Sequence, residues 1–227
     1  MDTNYEIHAL RTERIQLPSN TNQHHDIVLQ NKEISETSYW EHISLLASDY
    51  RSSANLYYDI YVQSQESIDQ NDTNEQQDGE SAFLDELEIN NQLRLASHFF
   101  TVSLYHLMEK IAKRCCILEG VGLTASTLPN YINALETQLR NTESADYSNI
   151  VGVSTSLRLL ANDIKHDGLI GVETSNNVPY FRNKKNRVIP DLTDFLVDQK
   201  IIKKSIKAIN TMILMLDKGE SNLFISI

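Results

Sequence analysis

Apolar side chains recur every three or four residues over much of this chain, which is the spacing of one face of an α-helix. The first such run covers residues 38–67, and it opens with Ser38 and Glu41 in the pattern of a capping box. A stripe of tyrosines in this run can stack nucleobases, but at this spacing it is more typical of core packing. The pattern predicts a long amphipathic helix with this apolar face: Ile43, Ala47, Tyr50, Ala54, Tyr57 and Tyr61.

The second helical run covers residues 83–118. Between Phe99 and Ile111 its apolar side chains point nearly all round the helix, which predicts a buried, central position. Cys115 and Cys116 lie in the same run. Neighbours on a helix point about 100° apart, so this pair is poorly placed to form a disulfide or to hold a metal alone. We expect two buried free thiols, with a redox site as the alternative.

Two shorter patterns complete the helical part of the chain. Thr127 and Pro129 open a short helix, since proline favours the first turn. Pro190 and Asp191 open the last helix, which has one apolar side. A lysine stripe is typical of a solvated face, although it can also bind an anion. The stripe opposite that apolar side consists of Lys200, Lys203, Lys204 and Lys207.

Residues 64–81 contain few apolar side chains and many acidic and amide ones, a composition that predicts a flexible loop. This loop gives a predicted boundary between two parts of the chain. Residues 1–81 form an N-terminal extension with a polar arm, the long helix and the loop, and residues 82–227 form a helical bundle. With only seven glycines and four prolines in the chain, we expect an all-α fold of about five helices.

The composition also restricts the location of the protein. No apolar run approaches the roughly 20 residues that a membrane-spanning helix needs. The first residues lack the basic and apolar pattern of a secretory signal. We therefore expect a cytoplasmic protein without a membrane partner.

The net charge of −11 is unevenly distributed. Residues 1–90 contain 18 Asp and Glu against 4 Lys and Arg, a net charge of −14. Residues 91–227 contain 13 acidic and 16 basic side chains, a net charge of +3. Contacts with a polyanion are therefore expected from the second half of the chain.

The most informative stretch is Leu157–Gly168, which is typical of the last turns of a helix with a glycine stop. Val153, Leu157, Leu160 and Ile164 form its apolar face. Arg158, Asn162 and His166 follow one another at intervals of four and form a second stripe on the opposite side. An arginine, an amide and an imidazole in one line can bind and cleave a phosphodiester. They can equally form an ordinary solvated face.

The order of the helices and the motif Ala161-Asn-Asp-Ile-Lys-His166 make residues 83–217 similar to the HEPN superfamily of prokaryotic helical-bundle proteins. The resemblance implies an up-and-down helical bundle, and many members are ribonucleases of toxin–antitoxin or defence systems. Asn162 and His166 match the polar residue and the histidine of the family motif. Ala161 occupies the position where the family has its arginine. Arg158 lies one turn earlier, about 12 Å along the axis from His166, so a shared phosphate requires a second copy of the chain.

The family commonly forms dimers with the motif helices facing each other, which implies a homodimer here. Val151 and Leu159 lie off the main apolar face and suit such a partner surface.

Two functions follow from this resemblance and from the residues. In the first, the missing arginine leaves a binding or assembly module, directed to RNA or to a cognate protein partner. In the second, the chain is a ribonuclease that needs no metal and no cofactor. His166 then acts as general acid or base, Arg158 stabilises the phosphorane charge, and Asn162 orients the histidine or the phosphate. In either case the cations expected to bind RNA are Lys165, Arg182, Lys184, Lys185 and Arg187.

Overall fold

A computed structural model describes residues 36–71, 79–121, 127–142 and 146–223 of the chain. These residues contain eight α-helices: α1 (Glu36–Asn71), α2 (Gly79–Leu118), α3 (Leu128–Ala134), α4 (Glu136–Arg140), α5 (Tyr147–His166), α6 (Val172–Asn177), α7 (Thr193–Asp198) and α8 (Ile201–Leu223). A 3₁₀ turn covers Pro179–Phe181. The described residues contain no strand, and one isolated bridge joins Leu169 to Val188. The prediction of an all-α fold is confirmed at this level.

The predicted flexible loop at residues 64–81 is wrong at both of its ends. Helix α1 continues to Asn71 and α2 begins at Gly79, so most of these polar residues are helical. Glutamate and glutamine are good helix formers even where nothing apolar is available to pack. Low apolar content therefore did not mark a helix end here. The part of the predicted loop between the two helices lies outside the described residues.

The predicted last helix is divided in two. Helix α7 ends at Asp198, and Lys200 has a φ of 54° before α8 begins at Ile201. A left-handed φ interrupts the helical hydrogen-bond pattern, and a lysine gives no sequence signal for it. The predicted short helix is likewise divided, with Leu135 between α3 and α4.

Helix α2 has 40 residues and is the longest described helix. Its predicted apolar surface is less complete than expected, because the side chain of Phe99 is 55% exposed while its neighbour Phe100 is buried. No helix among the described residues is long and apolar enough to cross a membrane.

The described residues form two compact units. The first contains Arg51–Ser103 and Leu159–Ile202, and the second contains residues 36–50, Leu104–Arg158 and residues 203–223. In the first unit the ring of Tyr57 stacks on Phe100 with 5.5 Å between centroids. The tyrosine stripe of α1 is therefore packing, as its spacing indicated. The buried core of this unit includes Tyr57, Tyr61, Phe100, Ile170, Val178, Phe181, Ile189, Leu192 and Phe195.

The second unit buries both cysteines. Cys115 donates a hydrogen bond to the carbonyl of Met212, and Cys116 donates one to the carbonyl of Tyr131. Both thiols are free, as predicted, and burial raises the pKa of Cys116 to about 11. The core of this unit includes Leu104, Leu107, Met108, Ile111, Leu128, Ile132, Leu139, Val153, Leu157, Ile206 and Ile209.

Candidate functional site

Helix α5 ends at His166, just before Gly168, as the sequence predicted. Gly168 has a φ of 63°, a left-handed conformation that glycine adopts without strain. The carbonyl of Asp163 accepts hydrogen bonds from the amides of Asp167 at 3.3 Å and Gly168 at 2.9 Å. This ending leaves Lys165 and His166 exposed in the last turn.

The two faces of α5 are separated as expected. Val153, Leu157 and Leu160 are buried, and Ile164 is half-buried at the edge of the apolar face. The stripe of candidate residues is more accessible. Arg158 and Asn162 are half-buried, and His166 is exposed.

Two side chains of α5 are more deeply buried than the helical pattern indicated, which placed one at the edge of the apolar face and one off it. Ala161, expected at that edge and aligned with the arginine of the HEPN motif, is 0% exposed. An arginine side chain at this position has no route to solvent unless the packing around α5 changes. Leu159, expected on a partner-facing surface, is 3% exposed within its own chain. Val151 is half-buried. The off-core apolar surface that suggested a dimer is therefore smaller than the helical pattern indicated.

Arg158 belongs to the second unit, where its charge acts on Tyr105 of α2. The Tyr105 hydroxyl donates a hydrogen bond of 2.5 Å to the Glu109 carboxylate. Burial raises the pKa of Tyr105, the Glu109 carboxylate raises it further, and the Arg158 guanidinium partly offsets both. The sequence pattern did not indicate that Arg158 shares an environment with this hydrogen-bonded pair.

The chain after α5 folds back onto the helix end. The amide of Ile170 donates to the carbonyl of Arg187, and the amide of Asn186 donates to the carbonyl of Ile170, both at 2.8 Å. The amide of Ile189 donates to the carbonyl of Gly168 at 2.9 Å. These three bonds hold residues 186–189 directly beside the residues that follow α5. Residues 171–185, which connect the two paired segments and are called the excursion below, contain α6 and the 3₁₀ turn.

The candidate cations of residues 182–187 are called the basic segment below, and the pairing brings the last two residues of this segment, Asn186 and Arg187, next to the residues that follow α5. Asn183 and Asn186 have φ values of 64° and 62°. Asparagine tolerates this left-handed region better than most residues, which explains the tight path of the segment. Three cations of the segment are exposed, and their side chains form no hydrogen bond or ion pair with another described residue: Arg182, Lys185 and Arg187.

Lys184 differs from the other cations of the basic segment. It is half-buried, and its Nζ lies 4.5 Å from the ring centroid of Tyr180 and 5.7 Å from that of Phe181. These are cation–π distances. Tyr180 and Phe181 in turn pack on Phe195 of α7. Lys184 therefore anchors the segment to the aromatic core, and the three exposed cations remain available for a ligand.

One polar contact that the sequence did not reveal connects α5 to the excursion. The Asp163 carboxylate accepts a hydrogen bond of 2.7 Å from the amide of Gly171. A Cβ atom at position 171 would lie 2.7 Å from the carboxylate oxygen and 3.3 Å from the carboxylate carbon. Only glycine permits this approach with Asp163 in place. An isolated glycine after a helix end was the one available sequence signal.

No group of three or more His, Cys, Asp or Glu side chains suited to a metal occurs among the described residues. Comparisons of the chain with known protein families, with curated proteins and with solved structures find no match. The candidate site is therefore defined by its own geometry: an exposed imidazole at a helix end, and a basic segment whose last residue, Arg187, pairs through its backbone with Ile170 just after that helix.

Proposed function

We propose that the protein is a cytoplasmic HEPN-like bundle that binds the phosphate backbone of RNA at the end of α5, without strong catalysis. The observation that carries this proposal is the backbone pairing of residues 168–170 with residues 186–189, since it gathers residues that are about 20 positions apart in sequence. This pairing brings the end of the basic segment toward the end of α5, where His166 lies.

The chemistry of the segment suits a polyanion. Arg182 and Arg187 present planar guanidinium groups, which match the oxygens of a phosphate in a bidentate geometry. The run from Arg182 to Arg187 contains no acidic side chain. Because the chain as a whole carries a net charge of −11, attraction to RNA must come from this local surface rather than from the net charge. We expect modest affinity with a small salt dependence, since only a few phosphates are contacted.

The absence of strong catalysis rests on Ala161 and Arg158. The family arginine is replaced by a fully buried alanine. Arg158, the nearest substitute on α5, is eight residues from His166, about 12 Å along the helix axis. A guanidinium extends roughly half of that distance from its own turn. One copy of α5 therefore cannot place both groups on the same phosphate.

The ribonuclease is the second candidate function, and the exposure of His166 favours it. The exposed imidazole of His166 and the half-buried amide of Asn162 lie one turn apart on the same side of α5. In a homodimer, Arg158 of the second copy supplies the missing positive charge, and His166 transfers the proton of the ribose hydroxyl or of the leaving oxygen.

Binding is tested by titrating a fluorescent single-stranded RNA of mixed sequence with the full chain. The double variant Lys185→Gln/Arg187→Gln removes two cations of the basic segment. Its matched control, Lys203→Gln/Lys207→Gln, removes two exposed cations of α8. We expect the first variant to weaken binding and to reduce the salt slope by about 0.7 for each phosphate that is no longer neutralised. The control should bind as the wild type does. Equal effects in the two variants would contradict a local site.

Cleavage is tested on the same RNA in EDTA, with wild type and His166→Ala. We expect both proteins to leave the RNA intact. Cleavage that persists in EDTA and disappears in His166→Ala supports the ribonuclease and overturns the non-catalytic proposal. Absence of any RNA binding, with capture of a defined protein partner through the same surface, supports the assembly module instead.

A further inference from the structure

A carboxylate and a glycine together fix the start of the excursion that carries the basic segment. The Asp163 carboxylate is bound to the Gly171 amide at 2.7 Å, and the Asp163 carbonyl accepts the amides that end α5. The same residue thus closes the helix with its main chain and secures the outgoing chain with its side chain. One residue before Gly171, Ile170 makes both backbone hydrogen bonds to residues 186 and 187.

We infer that Asp163 is a positioning residue for the RNA-binding surface. Its hydrogen bond to Gly171 fixes residues 169–171, and those residues fix Asn186 and Arg187 through the backbone pairing. This inference rests on the proposed function, since it assigns a role within that same surface. Asp163 itself does not contact the ligand in this scheme.

Because Asp163 is negatively charged, the positioning role can be tested by whether its removal strengthens or weakens RNA binding. A carboxylate near an RNA-binding surface repels phosphate, so its removal should strengthen binding if charge is all that matters. A positioning role predicts weaker RNA binding instead. Without the acceptor, the Gly171 amide has no partner in the protein and the basic segment is no longer held in its place.

Three variants separate these effects. Asp163→Ala removes both the acceptor and the charge. Asp163→Asn removes the charge but keeps a side-chain oxygen that can accept from Gly171. Asp167→Ala is the matched control, because this exposed acid lies at the same helix end, and its carboxylate makes no hydrogen bond or ion pair with another described residue.

The experiment measures the Kd of each full-length variant for the same single-stranded RNA, and its salt slope. We expect Asp163→Ala to bind on the order of tenfold more weakly, with a smaller slope, since fewer phosphates are met by correctly placed cations. Asp163→Asn and Asp167→Ala should bind as tightly as the wild type or more tightly. If Asp163 has only a structural role, its substitution lowers thermal stability, but the Kd values of Asp163→Ala and Asp163→Asn do not differ in this way.

Failure of the positioning role is distinguishable from failure of the proposed function. Wild-type RNA binding that depends on Lys185 and Arg187, together with full binding by a folded Asp163→Ala, overturns the positioning role alone. Absence of RNA binding by the wild type overturns the proposed function and this inference together. If Asp163→Ala does not fold, Asp163→Asn decides: RNA affinity and protection of the Gly171 amide from hydrogen exchange that are both kept or both lost support the role, and a change in one without the other contradicts it.

Discussion

The hydroxyl of Tyr57 donates a hydrogen bond of 2.7 Å to Oγ1 of Thr193, a residue 136 positions further along the chain. Thr193 Oγ1 in turn donates to the carboxylate of Asp191 at 3.0 Å. Tyr57 is 0% exposed, and burial is the main reason why its pKa is raised. A buried phenol with a specific partner links α1 to the start of α7 within the first unit.

Removing either partner of this hydrogen bond should have unequal effects. Tyr57→Phe leaves Thr193 with its bond to Asp191, so we expect a loss of about 1 kcal/mol in the free energy of unfolding. Thr193→Val leaves the Tyr57 hydroxyl buried without a partner and also removes the hydroxyl donor to Asp191, which keeps only the Thr193 amide, so we expect a loss of about 2–3 kcal/mol. Denaturant unfolding of the two variants measures the difference. A larger loss in Tyr57→Phe would contradict the assignment of the hydroxyl.

The imidazole of His98 should make the first unit sensitive to mild acid. Its Nε2 donates to the carbonyl of Pro190 at 2.9 Å, and burial lowers the pKa of His98 below its ordinary value. The charge of Arg94 lowers this pKa further, whereas the Pro190 hydrogen bond and the Asp191 carboxylate oppose the shift.

Because the folded-state pKa of His98 is the lower one, its contribution to stability is present above about pH 6.5 and is lost as the pH falls from there through the folded value. His98→Gln keeps a side-chain donor for Pro190 but cannot titrate. We expect its free energy of unfolding to fall less between pH 7 and pH 5 than that of the wild type. Parallel pH profiles for the two proteins would show that His98 does not carry this dependence.

Alanine substitutions at two glycines should change stability in opposite directions. Gly171→Ala forces a Cβ to 2.7 Å from the Asp163 carboxylate, so the side chain must move and release the amide. We expect a loss of about 1–3 kcal/mol. Gly152 lies within α5 with open space around its Cβ position. Gly152→Ala should therefore stabilise the protein by up to about 1 kcal/mol. Thermal unfolding of both variants tests the contrast, and stabilisation by Gly171→Ala would rule out the close approach.

Introducing the arginine of the HEPN motif at position 161 should lower stability. Ala161 was expected at the edge of the apolar face, where an arginine costs only a modest loss of stability, but it is fully buried. We expect Ala161→Arg to lower the free energy of unfolding by about 3 kcal/mol or more, through overpacking and burial of a charge. Asn162→Arg, one position along and half-buried, is the control and should change stability little. A folded, stable Ala161→Arg that cleaves RNA would reverse this interpretation and favour the ribonuclease.

The homodimer implied by the family resemblance can be measured directly. Since the Arg158 of one copy must serve the His166 of another, the ribonuclease function requires association. Sedimentation at tens of micromolar, with and without RNA, distinguishes the two states. With Leu159 buried in its own chain, RNA binding by a monomer is compatible with the binding module but not with the shared catalytic site.

The sequence by itself determined the all-α class, the longer helices and much of the core, while it missed the helix breaks at Leu135 and Lys200. Val153, Leu157 and Leu160 of α5 could be placed in the core because a spacing of three and four is a local property, as is the glycine that ends the helix. The same spacing assigned Tyr57 to the core and both cysteines to buried positions. It misplaced Ala161 and Leu159, since a helical wheel gives direction but not how much neighbouring structure covers each side.

Only the tertiary structure decided which distant residues meet. The break at Lys200 carries no glycine or proline. The bonds from Tyr57 to Thr193 and from His98 to Pro190 join residues that no periodicity relates.

The candidate site depends on the same kind of information. Lys165 and His166 were recognisable on their helix, but the position of Arg187 near the helix end follows from backbone hydrogen bonds across an excursion. Such bonds form only where the folded chain brings a donor and an acceptor together. The spacing of apolar residues within one helix does not predict which distant segments meet in this way.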